Sequence, residues 1–128
     1  MIVPKYTREI PQRYRLEAGK CGCGYVAFPP RIVCPECGSR EFETINLTPE
    51  GTIVSWTIVH VPADEFAAEA PLPIAIIETP EGARMTAQVV DGDPGEIEIG
   101  AKVRLMMRCI RREGHAGINQ YGYKAILV

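Results

Sequence analysis

A mainly β fold is predicted for this chain, a small cysteine-bearing unit at residues 13–46 leading into a five-stranded barrel at residues 47–128. Three observations predict it. Four of the five cysteines crowd between Cys21 and Cys37. From residue 51 onward, short runs rich in β-branched and aromatic residues are separated by Gly- and Pro-bearing turns. Helical periodicity is almost absent.

The elements follow in order. Residues 1–12 read as an extended N-terminal arm, because Pro4 and Pro11 oppose a long helix. Residues 13–18 alternate polar and apolar and read as a first strand. The cysteine cluster comes next, interrupted by Phe28-Pro29-Pro30-Arg31, and residues 41–45 alternate again and can pair back on the first strand. Residues 52–61 form the first barrel strand. Residues 62–73, bounded by Pro62, Pro71 and Pro73, hold one or two helical turns around 64–69. Residues 74–78 and 84–90 are two strands joined by the turn Pro80-Glu81-Gly82. After a loop at 91–95, strands at 102–112 and 121–128 flank the loop 114–117. Five such strands suit a closed Greek-key barrel of the oligonucleotide/oligosaccharide-binding (OB) type.

Composition narrows the function. The 128 residues are 46% hydrophobic and 23% charged, as in a globular protein. Fourteen basic against sixteen acidic residues give a net charge of −2, whereas general polyanion binders carry a positive excess. No run approaches the roughly 20 apolar residues that span a bilayer, and the first residues lack the apolar stretch of a signal peptide. The expected compartment is the cytoplasm, with no membrane partner. In that reducing setting, clustered cysteines point to a metal and not to disulfides.

The spacing is Cys21-x-Cys23, ten residues, then Cys34-x-x-Cys37-Gly38. Two intervening residues let a tight turn aim both thiolates at one ion, and a following glycine lets the backbone approach. The first pair is tighter by one residue, with Gly22 and Gly24 to relieve the turn. Cys21, Cys23, Cys34 and Cys37 are therefore the expected ligands of a closed, structural zinc site in a zinc ribbon. Cys109, in a distant alternating strand, reads as a small buried hydrophobe.

These residues also carry a resemblance. Arg13-Tyr14-Arg15-Leu16, the cysteine pair, Phe28-Pro29-Pro30-Arg31, Cys34-Pro35-x-Cys37-Gly38-Ser39, the run from Gly51 through His60, and Ile97-Glu98-Ile99-Gly100-x-Lys102-Val103 together resemble the acyl-CoA-associated zinc-ribbon/OB-fold family, long catalogued as a domain of unknown function. The resemblance spans about residues 13–128. It implies a rubredoxin-like ribbon followed by an OB barrel, in company with thiolase-like and other acyl-CoA enzymes. The short archaeal type implies a non-catalytic scaffold that joins an acetoacetyl-CoA thiolase to a hydroxymethylglutaryl-CoA synthase in the mevalonate pathway and helps line a shared CoA site. This sequence departs from many members in its shorter N-terminal segment and its shortened first cysteine pair.

Read alone, the residues leave three classes to weigh. Independent catalysis is not expected: no Gly-x-Ser-x-Gly, phosphate loop or HExxH occurs. His60 sits in a strand and His115 in a loop, both explained without chemistry. Nucleic-acid binding is the alternative, because ribbons and OB barrels commonly serve it. It would use Lys102, Arg104, Arg108, Arg111 and Arg112 around one strand, with Trp56, Tyr121 and Tyr123 for stacking. The acidic stretches 64–69 and 91–98 oppose a long polyanion but not a single CoA. Arg111 and Arg112, beside loop 114–122, are the candidates for the CoA phosphates; a solvated strand face or a protein interface is the competing reading. Phe66 and Leu72 of the proline-bounded loop read as exposed anchors for a partner, with packing over the barrel mouth as the alternative for Phe66.

Overall fold

The computed structural model describes residues 4–112 and 114–128. The chain opens with two short helices, α1 (Lys5–Arg8) and α2 (Ile10–Arg15), where the sequence predicts an extended arm and the start of a strand. Pro11 does not prevent this, because it lies in the first turn of α2, where a missing N–H leaves no bond unmade. The alternation over residues 13–18 marks a strand only at Glu17 and Ala18; before them Tyr14 is exposed and Leu16 is the helix cap. Leu16 adopts the left-handed region (φ 50°, ψ 41°) and its N–H bonds the Pro11 carbonyl. That conformation is unfavourable for leucine. Burial holds it, at 3% exposure, together with a 2.9 Å bond from the Leu47 N–H to the Leu16 carbonyl.

The left-handed turn launches β1 (Glu17–Cys21), which is flanked by β2 (Val26–Ala27) and β3 (Phe42–Asn46) in an antiparallel three-stranded sheet. The expected return strand at 41–45 is β3, shifted by one residue. The barrel follows: β4 (Glu50–Val59), β5 (Leu72–Glu78), β6 (Arg84–Val90), β7 (Lys102–Arg112) and β8 (Asn119–Leu127). Its order is β4-β5-β6-β8-β7, closing back on β4. Among the described residues, only β6 and β8 run parallel, with Val89 opposite Ala125. Two successive hairpins followed by a last strand inserted beside the third give the OB-type Greek key. β6 and β7 have the bounds expected from the sequence, and β5 and β8 each begin two residues earlier.

Alternate residues point inward along these strands. Ile53, Ile77, Val103, Leu105 and Ala125 form the centre of the core, and Leu16 and Ala18 from the ribbon side belong to the same buried cluster. The barrel seam depends on one close approach. A Cβ on Gly51 would lie 2.5 Å from Cγ2 of Ile77 and 2.9 Å from the Glu78 carbonyl oxygen, so only glycine lets β4 and β5 meet there. Among the described residues, no helix is long and apolar enough to cross a membrane.

Candidate functional site

Two tight turns build the cysteine site. In the first, Gly24 N–H donates to the Cys21 carbonyl at 2.9 Å, and Gly24 takes a positive φ of 97°. In the second, Gly38 N–H donates to the Cys34 carbonyl at 2.9 Å with φ 74°, and Cys34 N–H donates to Ser39 at 2.8 Å. The shortened first pair thus closes as the second does, a glycine one residue beyond its second cysteine completing the turn. The Sγ atoms of Cys21, Cys23, Cys34 and Cys37 all lie within 4.8 Å of one another. Cys21 and Cys37 are 3.4 Å apart, and Cys23 and Cys34 are 3.7 Å apart. Tetrahedral zinc with bonds of about 2.3 Å needs sulfurs about 3.8 Å apart, so the quartet fits such an ion. Cys21 and Cys34 are buried while Cys23 and Cys37 are exposed.

Crowding sets the electrostatics of the quartet. At Cys34, burial opposes ionisation, but the backbone amides of Cys37 and Glu36 and the neighbouring thiols outweigh it and lower the thiol to about 7. At Cys37, the Ser39 amide favours the thiolate, but the sulfurs of Cys21 and Cys23 prevail and push it up to about 12. Four thiolates cannot accumulate here by themselves; a divalent cation would remove that repulsion. Cys109 stands apart from the quartet, half-buried in β7, with its Sγ 3.7 Å from the Arg111 carbonyl.

The cations of β7 do not form one open basic face. Lys102 Nζ donates to Thr52 Oγ1 at 2.9 Å. Arg104 pairs with Glu50 at 3.7 Å, Arg108 with Asp91, and Arg111 with Glu65 at 3.6 Å. The acidic segments 64–69 and 91–98, expected to repel polyanions, supply two of these carboxylates. Arg112 borders a cavity of about 420 Å³ together with His115 and Asn119. Arg111 and Arg112 thus sit at one end of β7, opposite Gln120 and Asn119 of β8.

The aromatic set divides. Trp56 and Tyr121 are exposed, whereas Tyr123 packs half-buried against the core, where burial pushes its phenol up against an opposing bond with the Leu16 backbone. His60 is exposed just past the end of β4, and His115 is exposed in its loop. Leu72 is not an exposed anchor: it opens β5 opposite Val59 and is buried. Phe66 is half-buried within a 3-10 helix, Asp64–Glu69.

Two groups escape sequence reasoning. Lys124 is a buried amine on β8 whose Nζ donates to Glu69 at 3.1 Å, so the 3-10 helix is tied down twice, through Glu65 and Glu69. Glu81, in the β5–β6 turn, accepts from Thr48 N–H at 3.0 Å and from Thr48 Oγ1 at 2.6 Å, fastening the ribbon–barrel junction to that turn. Neither residue has a local pattern that separates it from a solvated surface charge.

Comparison with known proteins places the architecture. Residues 8–43 match the ChsH2 rubredoxin-like zinc ribbon domain family, and residues 45–108 match the ChsH2 C-terminal OB-fold domain family. A DUF35 domain-containing scaffold protein of Methanothermobacter thermautotrophicus is 47% identical over 119 residues, 91% of this chain and 90% of that one. The benzoylsuccinyl-CoA thiolase subunit BbsA of Thauera aromatica is 30% identical over 106 residues, 80% of this chain and 68% of that one. Among solved structures, the Ltp2-ChsH2(DUF35) aldolase superposes with a TM-score of 0.71 at 28% identity, covering 96% of this chain and 95% of that one. On its ribbon, its barrel and this whole-length similarity, the chain belongs to the DUF35 family, among relatives named as scaffold proteins.

Proposed function

We propose that this chain is a non-catalytic scaffold subunit of a cytoplasmic acyl-CoA enzyme assembly, bridging an acetoacetyl-CoA thiolase and a hydroxymethylglutaryl-CoA synthase of the mevalonate pathway. The observation that carries the reading is the near full-length relationship to proteins named as scaffolds, joined by one named as a CoA thiolase subunit. Its mechanism is geometric: holding two CoA-using sites near each other raises the effective concentration of the intermediate at the second. The ribbon (13–46) and the barrel (47–128) offer two differently shaped units for two partners.

Within it, Cys21, Cys23, Cys34 and Cys37 hold a zinc ion. Bound there, zinc supplies a fixed cross-link and no reaction, because four thiolates leave no position for a substrate. Arg111 and Arg112 face the phosphate end of a CoA shared with the thiolase. The cavity beside Arg112 and the guanidinium's fit to phosphate support this role.

Affinity purification of the tagged chain from its native extract tests the bridge. A thiolase and a synthase are expected to come down together, with zinc near one atom per chain by elemental analysis. Recovery of nucleic acid with neither enzyme would overturn the reading. Calorimetric titration of CoA into the chain with its thiolase, repeated with R112A, tests the phosphate contact; equal heats for both proteins would remove it.

A further inference from the structure

A cleft separates the ribbon from the outer face of the barrel. Phe28 and Pro29 form one wall, Ile76 of β5 and Arg84 of β6 the other, enclosing about 500 Å³. It runs into a second hollow of about 480 Å³ that shares Phe28 and Arg84 and adds Arg31 and Glu78. The volume is that of a pocket able to take more than one side chain. Ile76 points outward, opposite Ser55 and Thr86, and is 40% exposed. Past Arg31 the chain continues into Ile32 and Val33, also exposed. An outward isoleucine facing a Phe–Pro wall is more apolar surface than a strand face needs for solubility.

The charge around this apolar floor is positive in a chain that is negative overall. Arg84 is partly answered by Glu78 at 2.7 Å, while Arg31 lies exposed at the mouth with no carboxylate of a described residue bonded to it. A peptide carrying carboxylates beside an apolar anchor would complement both features: the anchor fills the floor and the carboxylates meet Arg31 and Arg84.

We infer that this ribbon–barrel cleft is a docking seat for an acidic surface segment of the partner acyl-CoA enzyme, anchored by an apolar side chain between Phe28 and Ile76. The inference rests on the scaffold reading above and deepens it. The seat is distinct from the Arg111–Arg112 end of β7, as a protein that bridges two enzymes requires.

The probe is the enzyme that co-purifies with the native chain, titrated against the native protein, I76E and R31E, with M106E as a control. Met106 is an exposed methionine on β7 that does not line the cleft. Zinc content and circular dichroism establish that each variant is folded; both cleft substitutions lie at exposed side chains, and R31E leaves the apolar floor intact. Each is expected to weaken binding by at least about tenfold, the effect of losing a central interface contact, while M106E binds as the native chain does. Affinity of the native chain should fall as salt rises, and that dependence should flatten in R31E. If the native chain binds no acyl-CoA enzyme, the scaffold reading itself fails. If it binds and both cleft variants bind equally well, only the docking seat is overturned. The seat is likewise overturned if I76E leaves enzyme binding intact but abolishes self-association in sedimentation, since a second copy would then be its occupant.

Discussion

Single side chains fasten this small molecule at points that the sequence does not advertise. Glu81 is one. Burial disfavours its charge, but the Thr48 hydroxyl and nearby amides prevail and hold its carboxyl below the ordinary value of 4.5. The folded state therefore binds this proton less readily than the unfolded chain, and the resulting stability is present above the ordinary carboxylate range and lost as pH falls through the lowered value. The difference in unfolding free energy between the native protein and E81Q should shrink steadily below about pH 4.5, as read by urea titrations at stepped pH. Lys124 is the other. With Glu69 changed to Gln, a buried ammonium loses its charged partner, and E69Q should be less stable by about 1–3 kcal/mol. K124M in the E69Q background should recover part of that loss, because removing both charges avoids the unpaired one. That four cysteines would gather was legible by contrast, because they stand close in sequence on two short turns, while burial of one lysine depends on what packs over it.

At the level of elements, strand alternation is readable wherever one face of a strand meets the core. β6 keeps its expected bounds for that reason, and β7 its expected start. The same logic fails at α2, where the first four residues of a six-residue polar–apolar alternation are a helix end and its cap, and only Glu17 and Ala18 enter a strand. Leu16 is apolar because it is buried beneath the junction, not because it lies on a strand. The ribbon has so little apolar interior that its order should depend on the ion. After chelation, trypsin is expected to cut first at Arg31, between the two cysteine pairs, and at Arg40, just past the second, with Arg84 of β6 cut much later; mass spectrometry of the early fragments reads this directly. Equal rates at all three sites would mean that the loops stand without metal.

Across the whole molecule, ribbon and barrel share one buried cluster through Leu16 and Ala18. The metal-loaded protein should therefore melt in a single calorimetric transition, and L16A should shift it as a whole, at about 2–5 kcal/mol of stability. Two separated transitions in the native protein would show the units to be independent. The OB order was legible only as a count of strands and turns, since the insertion of β8 between β6 and β7 is a long-range pairing that leaves no local mark. The family resemblance supplied that topology, and the strand ladder now gives its physical form. The docking cleft was illegible for the same reason: Phe28 and Ile76 are 48 residues apart in sequence and face one hollow only once the ribbon lies beside β5.

The parallel seam between β6 and β8 also dictates a timetable for synthesis. Val89 and Val90 find their neighbours, Ala125 and Ile126, only when the final strand has left the ribosome. The sulfur-bearing finger is translated first, while the buried cluster that Leu16 and Ala18 join lacks its β8 member, Ala125, until that strand has emerged. A nascent chain stalled before residue 119 would carry a finished finger on an open, sticky sheet, the state in which a chaperone would be needed most.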